Sequence, residues 1–203
     1  MSALTPAAHE TSHAAGHGKK GLGNPVLGML LFIVSEIMFF AGLFAAYFNL
    51  RTSTGTWPPA GNGAFELHGE ILFPAVMTSL LVLSSVTCQF AVWRIRAGDR
   101  KGMNRALLAT VILGVIFLCG QAYDYTQLGF GIADGVFGST FYVLTGFHGA
   151  HVLGGVLMLS VCLYRGGLGQ FSAEHHDMVE ATSIYWHFVD VVWILLFTLL
   201  YIV

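Results

Sequence analysis

A few ionisable side chains stand inside long apolar runs of this sequence, and any chemistry it performs must begin with them. Glu36 lies near the middle of one run, His148 and His151 in a second, His187 and Asp190 in a third. An ionisable group at mid-bilayer costs at least about 2.5–3.5 kcal/mol, so each should face a bundle interior and have a partner. Three uses of Glu36 are open: a proton-relay carboxylate, a hydrogen-bond partner for a lipid headgroup or another helix, or a protonated acid held by a neighbouring histidine for packing. His148 and His151 are spaced to share one helical face, as are His187 and Asp190, which allows the four to converge between the two runs. A closed metal site needs three or four ligands at fixed distances, themselves oriented by hydrogen bonds, and two such pairs guarantee neither. Hydrogen bonding between helices is the expected use, with no metal.

The elements that must position these residues follow from composition. Of 203 residues, 55% are hydrophobic and 10% charged, with a mean hydropathy of +0.70, so most of the outside must face lipid. Five stretches, 25–50, 71–93, 106–125, 136–164 and 181–203, reach the roughly 20 apolar residues that a helix needs to cross a bilayer. They are continuous and do not alternate, which excludes barrel strands. The expected fold is all-α, a polytopic bundle of five transmembrane helices over 25–203, preceded by a polar tail over 1–24. Gly146, Ala150 and Gly154, and likewise Gly42 and Ala46, form small-residue ridges suited to close helix approach.

Polar links join the runs, and their charges set an orientation. Lys19, Lys20, Arg94, Arg96, Arg100, Lys101, Arg105 and Arg165 fall on one side and only Arg51 on the other, which places the N-terminus in the cytoplasm and the C-terminus outside. Trp57, Trp93 and Tyr164 sit at span ends, where amphipathic rings favour the headgroup level. The tail carries His9, His13 and His17, but its glycines disfavour a helix, so a solvated tail is expected rather than a metal-binding face. His175 and His176 read as loop residues, and Cys88, Cys119 and Cys162 as small buried hydrophobes.

Other function classes find no support. A net charge of −2 without a basic stripe excludes a nucleic-acid partner, and no catalytic triad spacing, phosphate loop or dinucleotide fingerprint occurs. A stand-alone transporter using Glu36 and Asp190 as proton carriers is the alternative from another class, but no internal repeat or broken pair of spans supports it.

Five blocks carry a resemblance. Ser35-Glu36-Ile37-Met38-Phe39-Phe40-Ala41-Gly42, Gly98-Asp99-Arg100-Lys101, Asp134-Gly135-Val136-Phe137-Gly138-Ser139-Thr140-Phe141, Thr145-Gly146-Phe147-His148-Gly149-Ala150-His151-Val152 and Tyr185-Trp186-His187-Phe188-Val189-Asp190-Val191-Val192-Trp193 resemble, in order, the signature blocks of subunit III of haem-copper oxidases. Larger members of that family have seven spans, and counterparts of the first two are missing here, as in many bacterial versions. The resemblance implies an auxiliary subunit of a cytochrome c oxidase in the bacterial plasma membrane. Such a subunit contacts subunit I, which holds haem and copper, and assembles with subunit II; it has no redox centre of its own. It steadies subunit I, its proton uptake and bound phospholipid. Glu36 matches the family's intramembrane glutamate, while His151 and Arg165 match positions associated with lipid headgroups. A quinol oxidase subunit III is the alternative within the family, and a homologue associated with nitric oxide reductase is more distant.

Overall fold

The computed structural model describes residues 23–55, 57 and 71–202. The His-bearing tail, the Pro/Gly link at 58–61 and Val203 lie outside them.

Five long helices follow one another: α1 (Asn24–Ser53), α2 (Leu72–Arg96), α3 (Arg100–Gln127), α4 (Gly135–Gly167) and α5 (Asp177–Phe197), the last running into a π-helical turn at Thr198–Ile202. All five are long and apolar enough to span a membrane. No strand occurs among the described residues, and the bundle is all-α.

The helices outrun the apolar stretches because interfacial turns are polar yet helical. α3 starts at Arg100, not at 106, since Asp99 caps it by accepting from the Gly102 amide at 2.8 Å. α2 ends in a Schellman motif, with Gly98 at φ +78°, its N–H on the Ile95 carbonyl and the Asp99 N–H on that of Arg94. α4 ends the same way around Gly169, φ +75°.

α5 is the hub. It packs on α1, α2 and α4, while α3 fills the far side between α2 and α4, and α1 meets α4 only lightly. Trp186 of α5 is 1% exposed and donates through Nε1 to Ser84 Oγ of α2 at 2.9 Å. Its indole fills the space that a Cβ would need at Gly114 of α3 and Gly155 of α4, 2.8 and 2.6 Å from ring atoms. One side chain thus ties four helices, by the van der Waals fit that drives helix association in lipid. The ridges expected from the sequence are not among the close approaches: a Cβ added at Gly42 or Gly146 would meet nothing within 4 Å, and one at Gly154 only the Tyr185 hydroxyl at 3.5 Å.

Where α2 ends beside the start of α5, Arg96 Nη2 reaches Glu180 Oε1 at 2.7 Å, and His176 Nε2 lies 2.9 Å from the same oxygen. At the opposite end, Tyr47 of α1 donates to the Leu199 carbonyl at 3.0 Å, and Tyr201 to Asp124 Oδ2 of α3 at 3.3 Å. Helix ends leave carbonyls without intrahelical partners, and Tyr47 supplies one.

Candidate functional site: a carboxyl–imidazole pair at mid-membrane

Glu36 and His151 meet. Glu36 Oε2 of α1 lies 2.8 Å from His151 Nε2 of α4. His151 is the central residue of its helix, sixteen residues from Gly135 and sixteen from Gly167, so the pair sits at mid-membrane. Phe39 stacks on the imidazole at 6.2 Å and Phe40 meets it edge-on at 5.0 Å, while the Tyr185 hydroxyl of α5 donates to the His151 carbonyl at 3.1 Å. The side chains are 18% and 15% exposed, so the pair lies on the rim of the bundle rather than in its core.

Hydrogen-bond bookkeeping fixes the proton content. His151 Nδ1 lies 2.7 Å from the Phe147 carbonyl, which only accepts, so Nδ1 carries a hydrogen. A single further proton then lies between Oε2 and Nε2. Placed on oxygen it gives a neutral acid and imidazole; placed on nitrogen it gives an ion pair. The two forms hold the same number of protons, and the transfer is one hop along a 2.8 Å bond. A site of this kind can hold one proton, or shift it between the two groups, without an unpaired charge in hydrocarbon; releasing it leaves a carboxylate that needs a replacement proton or a cation.

The convergence of four polar groups that the spacing allows does not occur. His148 points away from His151, into an aromatic core: it is fully buried, stacked on Trp193 at 4.8 Å and edge-on to Phe117 at 5.9 Å, with neither ring nitrogen bonded among the described residues. Residues three apart on a helix still differ by about 60° in azimuth, enough at this position to divide them between neighbours. His187 and Asp190 turn to α2 instead of α4. His187 Nε2 lies 3.2 Å from Gln89 Oε1, while Asp190 faces Ser85 without a bond of good geometry and keeps a buried, unpartnered Oδ1. Among the described residues no three His, Cys, Asp or Glu side chains come together as a ligand set.

Arg165 lies fourteen residues beyond His151 on α4, about 21 Å along the axis at 1.5 Å per residue, so one headgroup does not reach both. Its guanidinium donates to Gln170 Oε1 at 2.8 Å and lies 5.4 Å from the centre of the Phe171 ring. The sequence reading passed over Gln89 and also over Gln121, whose Nε2 donates to the Thr145 carbonyl at 2.8 Å beside a Tyr125–Thr145 hydroxyl pair. An amide inside an apolar run was the available signal, since it too requires a partner in lipid.

A family model for cytochrome c oxidase subunit III matches residues 6–203. The chain belongs to the cytochrome c oxidase subunit III family. Among its relatives, cytochrome c oxidase subunit 3 of Thermostichus vulcanus is 42% identical over 193 residues, 95% of this chain and 94% of the relative. The same subunit of Scyliorhinus canicula is 45% identical over 179 residues, 86% of this chain and 67% of the relative. That of Bos taurus is 43% identical over 181 residues, with the same two coverages. As a member of the subunit III family with five membrane-spanning helices, the chain is a multi-pass membrane component of an oxidase complex.

Proposed function

We propose that this chain is an auxiliary subunit of a proton-pumping cytochrome c oxidase, without a redox centre of its own, that steadies subunit I and its proton uptake. The relatives' names carry the electron donor, cytochrome c. Haem and copper belong to partner subunits, with subunit I as the main contact and subunit II in the same complex. The membrane is the bacterial plasma membrane, and the eight-to-one distribution of basic residues favours a cytoplasmic N-terminus and an external C-terminus.

The observation that carries this reading is the Glu36–His151 bond on the rim of the bundle. Away from any redox centre of this chain, a one-proton pair can act only through packing, bound lipid or the proton supply of its neighbour. Arg165, at the loop end of α4, suits a phospholipid headgroup, while Glu36 and His151 form a polar notch deeper along the chains. His148 packs α4 on Trp193 of α5, His187 bonds α5 to Gln89 of α2, and Asp190 faces Ser85 of α2.

Glu36→Gln and Glu36→Ala in the assembled oxidase test the reading. Glutamine keeps a hydrogen bond to His151 and removes the titrating proton; alanine removes both and leaves the imidazole unpartnered, at about 1–3 kcal/mol. The expected outcome is a near-normal initial rate of oxygen consumption in Glu36→Gln, with faster decay over repeated turnovers at high pH, and loosening of the subunit in Glu36→Ala. Immediate, near-total loss of the initial rate in Glu36→Gln, with the subunit still bound, overturns the auxiliary role.

A further inference from the structure

Between the end of α2 and the start of α3 a groove of about 690 Å³ opens to the outside of the bundle. Its inner wall is apolar, formed by Val86, Phe90 and Trp93 of α2 and Ala106 of α3, and both rings are exposed. Its rim is cationic, with Arg94, Lys101 and Arg105. Asp99 is the single carboxylate lining it, and both oxygens are engaged: Oδ1 accepts from the Gly102 amide at 2.8 Å, and Oδ2 lies 3.3 Å from Arg94 Nη1. Arg94 is further held 4.6 Å over the Phe90 ring. Lys101 and Arg105, one turn apart on an exposed face of α3, make no hydrogen bond or ion pair among the described residues. Three cations less one carboxylate leave a surplus of two positive charges.

That combination selects its occupant. A free inorganic anion satisfies the rim and leaves Phe90 and Trp93 uncovered. A zwitterionic lipid covers the wall but brings its own cation against Lys101 and Arg105. An amphiphile with an anionic phosphate and acyl chains satisfies both, and the volume lies in the usual range of ligand sites, about 300–1,000 Å³. The groove sits at the ends of two membrane-spanning helices, level with the headgroups of one leaflet, where such molecules are supplied.

We propose that this groove binds an anionic diacyl phospholipid, with its phosphate between Lys101 and Arg105, Arg94 at the mouth, and an acyl chain along Phe90 and Val86. The site lies on the opposite flank of α2 from α5 and is separate from Glu36, His151 and Arg165.

Arg100 provides the control. It is exposed on the first turn of α3, one residue before Lys101, but it does not line the groove and its Nη1 turns toward Gly169. Arg100→Gln and Lys101→Gln therefore remove equal charge one residue apart on the first turn of α3, one outside the groove and one inside. The assembled oxidase is exchanged into detergent micelles containing phosphatidylcholine doped with phosphatidylglycerol, and tightly retained lipid is counted by native mass spectrometry. A basic residue near the membrane surface strengthens anionic-lipid binding about fivefold, so retained phosphatidylglycerol should fall about fivefold in Lys101→Gln or Arg105→Gln and about 25-fold in Lys101→Gln/Arg105→Gln. Arg100→Gln should retain it as the wild type does, and photoactivatable phosphatidylglycerol should label residues 86–106. Equal losses in Arg100→Gln and Lys101→Gln reduce the effect to general attraction by a basic rim and overturn the site. So does full displacement by inorganic phosphate, or protection of 86–106 from labelling by a neighbouring subunit.

Discussion

α5 and α1 divide the molecule between holding and facing outward. Half of the most apolar window of α5 is buried, against 17% of that of α1. α5 carries Trp186 into the junction of α2, α3 and α4, whereas α1 shows Leu31 and Met38 at 66% and 71% exposure. Yet the mid-membrane carboxyl stands on α1, the helix least enclosed by its own chain. Stability is concentrated where the chain meets itself, and the proton-holding group stands where the chain meets something else.

The sharpest way to break that contrast is Trp186→Ala. Removing a fully buried indole should cost about 3–5 kcal/mol, read as loss of the subunit on detergent purification or a collapse of its thermal transition. Gly155→Ala comes next: its Cβ would fall 2.6 Å from Trp186 Cε3, and overpacking of this kind costs about 1–3 kcal/mol. The measurement is the shift in melting temperature of the purified subunit. Tyr185→Phe removes the hydroxyl that holds the His151 carbonyl, for about 0.5–1.5 kcal/mol, and should leave the initial oxidase rate unchanged while speeding its decay. The smallest effect belongs to α1: Leu31→Ala should stay within about 0.5 kcal/mol in the isolated chain, as exposed substitutions do. A larger loss in the assembled oxidase would mark the face of α1 that a partner covers. If Leu31→Ala matched Gly155→Ala in the isolated chain, the division between the two helices would be wrong.

The number of helices was legible because lipid demands about 20 apolar residues of any spanning helix, and five runs met that demand. Their ends were less so: the turn at Arg100–Arg105 is polar, and only the Asp99 cap reveals it as helix. The pairing of Glu36 with a histidine was one of the readings the residues left open, although 115 positions separate the partners. What spacing cannot give is the neighbour a face meets. His187 and Asp190 share a face as expected, but α5 is central and turns that face to α2. The same limit applies to the glycines. Ridges at Gly42 and Gly146 look like contact sites, while tight contacts fall at other glycines, Gly114 and Gly155 among them, chosen there by the bulk of Trp186 on another helix.

The separation of Glu36 from His151 also bears on how the chain is made. At about 5–20 residues per second, the 115 intervening residues take roughly 6–23 s to synthesise. For that interval α1 must reside in the membrane with its carboxyl unmatched. Its fourteen Val, Leu, Ile and Phe residues contribute about −0.3 to −0.6 kcal/mol each on insertion scales, some 4–8 kcal/mol together, against about 2.5–3.5 for an ionisable side chain at the helix centre. The surplus lets α1 enter alone and wait. Its partner imidazole arrives with α4 and the hydroxyl of Tyr185 with α5, so the proton-holding pair is completed only after four of the five helices have been made.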